Sequence, residues 1–148
     1  LRKPAVKLNF SDVVGGFSYH TAIYTNTADI FELERLLQAF PNVAFHVLAH
    51  SHFGFNLVKL EQYPNLILYP SFDPLTSRKV LEKIDFYLDI NPFDEVDHIT
   101  ETAHQLGLPV FSFEGTNHDQ TGKNQVFKND QVDQMVEAVR DYIDTIER

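Results

Sequence analysis

Short apolar runs recur along this chain, and between them lie segments whose apolar residues repeat at helical spacing. The runs are "TAIYTN" (Thr21 to Asn26), "VAFHVLAH" (Val43 to His50), "LILYP" (Leu66 to Pro70), "FYLDIN" (Phe86 to Asn91) and "VFSFE" (Val110 to Glu114), with the apolar pair Val126 and Phe127 as a short sixth. A strand covered on both faces reads as a continuous apolar run, and each crossover helix buries one stripe, so this alternation marks β-α units wound around a parallel sheet. The fold class predicted is α/β: a Rossmann-like parallel sheet of five to six strands with helices on both faces.

The intervening segments supply the helices. Ile30, Leu33, Leu36, Leu37 and Phe40 form one stripe, with Thr27 or Asp29 as its cap and Pro41 past its end. Thr76 to Ile84 forms a second crossover around Val80, Leu81 and Ile84, while Phe55 to Tyr63 is only weakly patterned. Asn91 and Pro92 predict a further helix start, with Asp94 and Glu95 in its first turn opposite the positive end of the dipole. Val96, Ile99, Ala103 and Leu106 would be its inner stripe, and Gly107 and Pro109 its stop. Asn129 or Asp130 then caps a final helix built on Val132, Met135, Val136, Val139, Ile143 and Ile146.

Composition narrows the function classes. A net charge of -9 disfavours phosphate-backbone binding, which draws on clustered Lys and Arg, so no nucleic-acid partner is expected. The 148 residues include no Cys, which excludes disulfides and thiolate metal sites and fits a cytoplasmic location. No apolar run approaches the length of a membrane span, so no integral membrane segment is expected. The chain opens on Leu1 without an initiator Met, and residues 1–20, with weak alternation in "AVKLNF" and then Gly15-Gly16, read as a connection from a missing N-terminal domain. Residues 21–148 are the Rossmann-like domain.

An open parallel sheet holds its ligands outside the carboxyl ends of its strands. The loops of interest therefore follow Asn26, His50, Pro70, Asn91 and Glu114. Thr25, Asn26 and Thr27 suit phosphate or acceptor contacts, Ser71 closes the third strand, and Asn91, Phe93, Asp94 and Glu95 hold a polar turn with one aromatic. Glu114, Asn117 and His118 open the most polar loop, "EGTNHDQTGKN". Each also has a plainer reading, as a cap, a dipole complement or a solvated turn. His46, His50 and His52 share alternate strand positions, but no neighbouring carboxylate completes a ligand set, so no metal is assigned; His98 and His104 are expected to face solvent. No nucleophile elbow, P-loop or dinucleotide glycine fingerprint is present.

The set "YTNTADIFELERLLQAFPNVAFHVLA", "LEQYPNLILYPSF" and "YLDINPFDEVDHITETAHQLGLPVFSFEGTNH" resembles the donor-binding half of bacterial GT-B glycosyltransferases, in particular the glycosyltransferase-like proteins that help O-glycosylate serine-rich adhesins. Within that group it is most similar to the partner subunit that stabilises the catalytic one. The resemblance implies the GT-B C-terminal domain type and a UDP-sugar as donor substrate, with no separate cofactor. It further implies a protein acceptor or a catalytic glycosyltransferase partner. Many retaining members carry a glutamate pair on the element after the fourth strand for the donor's sugar and ribose hydroxyls. Here Asp94 stands at the first of those positions and Thr102 at the second, with Glu101 one residue off. The basic residues expected for the diphosphate after the first strand are absent from "TNTADI", leaving Arg78, Lys79 and Lys123 as substitutes. Two readings follow: a donor-binding domain of a nucleotide-sugar-dependent glycosyltransferase, or a non-catalytic module of the same shape that steadies a catalytic partner and binds its Ser/Thr-rich acceptor.

Overall fold

The computed structural model describes residues 17–26 and 29–146. The expectations placed on "AVKLNF", on Gly15-Gly16 and on Thr27 lie outside the described residues. The chain runs β1 (Tyr19–Tyr24), α1 (Leu33–Ala39), β2 (Val43–Leu48), α2 (Phe55–Val58) with a 3₁₀ turn (Lys59–Gln62), and β3 (Leu66–Tyr69). It continues through α3 (Pro74–Lys83), β4 (Phe86–Asp89), α4 (Ile99–Gln105), β5 (Val110–Phe113), a second 3₁₀ turn (Glu114–Thr116), β6 (Gln125–Phe127) and α5 (Val132–Ile146).

All six strands are parallel, in the order β3-β2-β1-β4-β5-β6. β1 and β2 pair along six residues, from Tyr19 opposite Val43 to Tyr24 opposite Leu48. The sheet separates two apolar layers. On one face Ile23, Phe45, Val47, Leu68, Phe86 and Phe111 pack under α1, α2 and α5, which contribute Leu36, Leu57 and Met135. On the other, Ala22, Tyr24, Ala44, Ile67 and Tyr87 pack under α3 and α4, through Val80 and Ala103. The apolar stripe of α5 falls where its periodicity places it, on Met135, Val136, Val139 and Ile143.

Several element boundaries differ from the sequence reading, for local reasons. No helix begins at Pro92. Asn91 is buried and turned inward, where its Nδ2 donates to the Asp94 carbonyl at 2.9 Å and its Oδ1 accepts from Thr25 Oγ1 at 3.0 Å. Those bonds wind residues 91–98 into a loop that Val96 anchors in the core, and α4 starts only at Ile99. Asp94 and Glu95 are therefore loop residues, not first-turn helical ones. Similarly α1 starts at Leu33, four residues after Asp29, because the Phe31 N–H is held by the Ile90 carbonyl and Glu32 takes a left-handed conformation. Asn129 does not cap α5; its side chain accepts from the Gly115 N–H at 2.8 Å.

α3 has a conventional start: Asp73 Oδ1 accepts from the Thr76 N–H at 2.7 Å, and Pro74 occupies the first turn, where its missing N–H is no loss. Asp73→Ala is expected to lower stability by about 1 kcal/mol, read as a shifted urea midpoint with an unchanged slope.

Candidate functional site

The strand order reverses between β1 and β4, and there the two strands part. Their pairing covers only Thr21 with Phe86 and Ala22 with Tyr87. Beyond it the Tyr24 N–H donates to the Tyr87 hydroxyl at 3.0 Å, and the Thr25 hydroxyl spans the gap to Asn91. Burial holds both phenols neutral, pushing Tyr24 up to about 12 and Tyr87 well above its usual range. The reversal point opens a crevice at the carboxyl edge of a doubly wound sheet. A cleft of about 700 Å³ lies there, lined by Asn26, Pro92, Phe93, Asp94, Glu95 and His118.

Its floor is organised by a residue that sequence reasoning did not single out. Asp89, the last residue of β4, is buried, and its carboxylate accepts from three donors. Oδ2 takes the His118 N–H at 2.7 Å and Asn124 Nδ2 at 3.2 Å, while Oδ1 takes His118 Nδ1 at 2.6 Å. The far ring nitrogen of His118 donates to the Phe93 carbonyl at 2.5 Å. Held chiefly by the Asp89 bond, and against the effect of burial, the imidazole is pushed up to about 9 and is a cation at neutral pH. The Asp89 backbone carbonyl accepts from Thr116 Oγ1 at 2.8 Å, tying in the 3₁₀ turn as well. One carboxylate thus joins β4, the loop after β5 and the loop carrying Phe93. Its only signal in the sequence is an acid at the carboxyl end of an otherwise apolar strand.

The polar loop after β5 is knotted from within. Asp119 accepts from the Thr121 N–H and hydroxyl through Oδ1 and from the Lys123 and Asn124 N–H groups through Oδ2. Burial works against its charged form, yet these bonds hold the carboxyl well below the usual range. His104 does not face solvent as expected: its side chain is 10% exposed and bonds Asn124 Oδ1 at 2.7 Å. His98 is exposed.

A second hollow, about 480 Å³ and mostly apolar, lies on the other side of α4 against α3, where His50, Phe72, Ser77, Arg78, Asp97 and Thr102 are among its walls. His50 pairs with Asp97 at 2.9 Å and stacks on Phe72 with ring centres 4.6 Å apart. Asp97 and His98, both left-handed, make the turn that delivers the chain into α4. Glu95 reaches across that turn to accept the Thr100 N–H at 2.7 Å.

Of the residues expected at the site, Asn26, Phe93, Asp94, Glu95 and His118 come together on the cleft, and Phe93 is 57% exposed there. Thr25 and Asn91 are buried beneath it as its frame. Ser71, in a left-handed turn beside Ser51, does not line it, nor does Glu114, which sits exposed in the 3₁₀ turn. Asn117 serves its own loop, accepting from Asn124 Nδ2 at 2.9 Å and the Asp119 N–H at 3.1 Å. The histidines weighed for metal are dispersed: His46 lies within the sheet against His20 and Tyr69, while His50 pairs with Asp97. Among the described residues no group of three His or acidic side chains is placed to hold a metal ion. No helix of the described residues is long and apolar enough to cross a membrane.

A six-stranded parallel sheet in this order, with its crevice at the reversal point, is a Rossmann-like fold, and solved GT-B glycosyltransferases share it. Residues 21–148 match the GftB/GlyA-F C-terminal domain, and the chain belongs to that family. It is 40% identical over 143 residues to the glycosyltransferase GlyB of Streptococcus pneumoniae serotype 4, covering 97% of this chain and 35% of that protein. To the UDP-N-acetylglucosamine--peptide N-acetylglucosaminyltransferase stabilizing protein GtfB of Limosilactobacillus reuteri subsp. suis it is 31% identical over 97 residues, 66% of this chain and 22% of that one. Among solved structures, the Streptococcus pneumoniae glycosyltransferase GlyE superposes with a TM-score of 0.79 at 23% identity, over 85% of this chain and 33% of that one. The GtfA/B complex bound to UDP and GlcNAc gives 0.76 at 25% identity, over 84% and 28%.

Proposed function

We propose that this chain is the donor-binding domain of a nucleotide-sugar-dependent glycosyltransferase acting on a protein acceptor, with a UDP-sugar laid across the cleft and the neighbouring hollow. The observation that carries this reading is the placement of the two positions at which related enzymes keep carboxylates. Asp94 lines the cleft at the strand reversal and Thr102 lines the apolar hollow. The sugar hydroxyls would then meet Asp94 and Glu95, whose carboxylates accept from vicinal diols, and the base and ribose would enter the hollow beside Phe72. Positive charge for the diphosphate comes from Arg78 on the wall of the hollow, since both ring nitrogens of His118 are already taken by Asp89 and the Phe93 carbonyl. The domain's work in such an enzyme is to position the donor and stabilise the leaving diphosphate, with the acceptor held by another part of the protein.

A second reading, a non-catalytic module that stabilises a catalytic partner, is favoured by one specific contact. Glu95 places a carboxylate on the Thr100 amide, at the mouth of α4, where a phosphate would otherwise find a free N–H. Calorimetric titration of the full-length protein separates the two. The first reading predicts saturable heat with UDP and UDP-N-acetylglucosamine below about 1 mM, and Asp94→Ala weakening the sugar nucleotide about tenfold while leaving UDP itself unchanged, as expected for loss of a charged hydrogen bond. A folded protein that gives no heat with either ligand, yet is needed for a co-purified transferase to stay soluble, would establish the second.

A further inference from the structure

His118 sits where the loop after β5 meets the cleft, its side chain 18% exposed, and each of its ring nitrogens faces an acceptor. Nδ1 lies 2.6 Å from Asp89 Oδ1, and Nε2 lies 2.5 Å from the Phe93 carbonyl. Neither an ionised carboxylate nor a carbonyl can donate, so both nitrogens must carry a proton, and only the imidazolium does. A neutral ring could keep one of the two bonds. It would keep the one to Asp89, since a charged acceptor holds a proton more strongly than a neutral one, and would then turn a lone pair toward the Phe93 oxygen.

That second bond holds the turn that carries Asp94. The Phe93 carbonyl also accepts from Asn91 Nδ2, but at a long 3.5 Å, because the same nitrogen serves the Asp94 carbonyl at 2.9 Å. Phe93 and Asp94 are exposed, so packing does little to fix the peptide between them. The ring of His118 does more.

On the donor-binding reading above, we infer that His118 is a positioning residue that acts only as a cation: it pins the Phe93 carbonyl so that the Asp94 carboxylate meets the sugar of a sugar nucleotide, and its deprotonation in mild alkali releases that turn and the selectivity for the sugar with it. The ring loses its proton at about 9. Asp89 reaches it from β4, and Asp94 and Glu95 from the loop after β4. On the far side its neighbours are His98, Glu101 and His104 around α4, and Asp119 and Lys123 of its own loop. Carboxylates and histidines ordinarily change charge below about pH 7 and lysine above about pH 10, so the interval from about pH 7.5 to 9.5 reads His118.

The test uses the full-length protein, with its fold checked by circular dichroism at each pH. In carbonyl-detected NMR without ligand, the Phe93 carbonyl carbon and the His118 ring nitrogens should titrate together, with a common midpoint at about 9. In calorimetry, the affinity for UDP-N-acetylglucosamine relative to that for UDP should fall at least about fivefold across the interval, as for one lost hydrogen bond to a charged group. Taking the ratio cancels any ionisation of the shared base. His118→Gln, which cannot be charged, should show the reduced ratio already at about pH 7.5 and no further change as pH rises, while UDP itself binds within about twofold of wild type. The wild-type profile stands whether or not that variant folds. A Phe93 carbonyl that stays still while His118 titrates, a ratio unchanged across the interval, or a His118→Gln protein that keeps the wild-type pH slope would each overturn the positioning role with donor binding intact. No heat from either ligand at any pH overturns instead the donor-binding reading, and the selectivity role that rests on it.

Discussion

Asp89→Ala should lower the stability of the domain by about 3 kcal/mol, because it removes one partner of a mostly buried ion pair and strands the donors that converged on it. Three bonds to the carboxylate are lost, from the His118 N–H, His118 Nδ1 and Asn124 Nδ2. The substitution also has a pH signature. In the wild type His118 is pushed up to about 9, so the folded state binds a proton more tightly than the unfolded one. Its contribution is complete below the ordinary histidine value and is lost as pH rises from about 6.5 through 9. Because the ring is partly exposed, that alkaline loss is about 1–2 kcal/mol after allowance for solvent screening. In Asp89→Ala the alkaline limb should vanish and the His118 titration should move down to, or below, its ordinary range. Urea unfolding at several pH values, with the histidine titration followed by NMR, reads both. A variant within about 1 kcal/mol of wild type that keeps its high His118 titration would show that Asp89 does not organise the cleft.

A second large effect is expected on the acid side. His46 lies in the middle of β2, fully buried, with ring nitrogens at 3.1 Å from His20 Nδ1 and 2.9 Å from the Tyr69 hydroxyl. Burial first, and the neighbouring His20 second, push it down to about 3. The unfolded chain therefore takes up a proton near pH 6.5 that the folded chain refuses, and stability falls as pH drops from about 6.5 toward 3. The full difference approaches about 4 kcal/mol at the bottom of that window. Asp119, whose carboxyl is also held low, adds its loss only below the ordinary carboxylate range, so the interval between about pH 6 and 4 isolates His46. Unfolding free energies across that interval should decline steadily in wild type and much less in His46→Gln, which keeps both a donor and an acceptor but cannot be protonated. Equal slopes in the two proteins would refute the assignment.

The strands were legible because a parallel sheet covered on both faces leaves no ambiguity of period: "VAFHVL" is buried at every position. The final helix was equally plain, its stripe sustained through fifteen residues. The loop after β4 was not, because the same residues satisfy two patterns. Asn91-Pro92 followed by two acids is a good helix opening, and Val96 falls on the correct stripe. What decided against it is a partner distant in sequence, since Thr25 takes up the Asn91 side chain and the capping role is lost. The cleft was read in part. Phe93, Asp94, Glu95 and His118 follow from the rule that loops at the carboxyl edge carry the site, but Ser71 and Glu114 follow from the same rule and lie off it. Chain order places a loop at the correct edge without saying which way each side chain turns. Asp89 was missed because its role is made by the fold: three donors reach it from residues 118 and 124, about thirty positions along the chain.

The most direct test of the central claim, that a sugar nucleotide occupies the crevice over the gap between β1 and β4, is amide chemical-shift mapping of the protein titrated with UDP-N-acetylglucosamine. The account predicts saturable shifts at Asn26, Phe93, Glu95 and His118 and in the adjoining hollow at His50 and Arg78, with the α5 face of the sheet unmoved. Shifts clustered on that opposite face, or none at about 5 mM ligand in a folded sample, would contradict it.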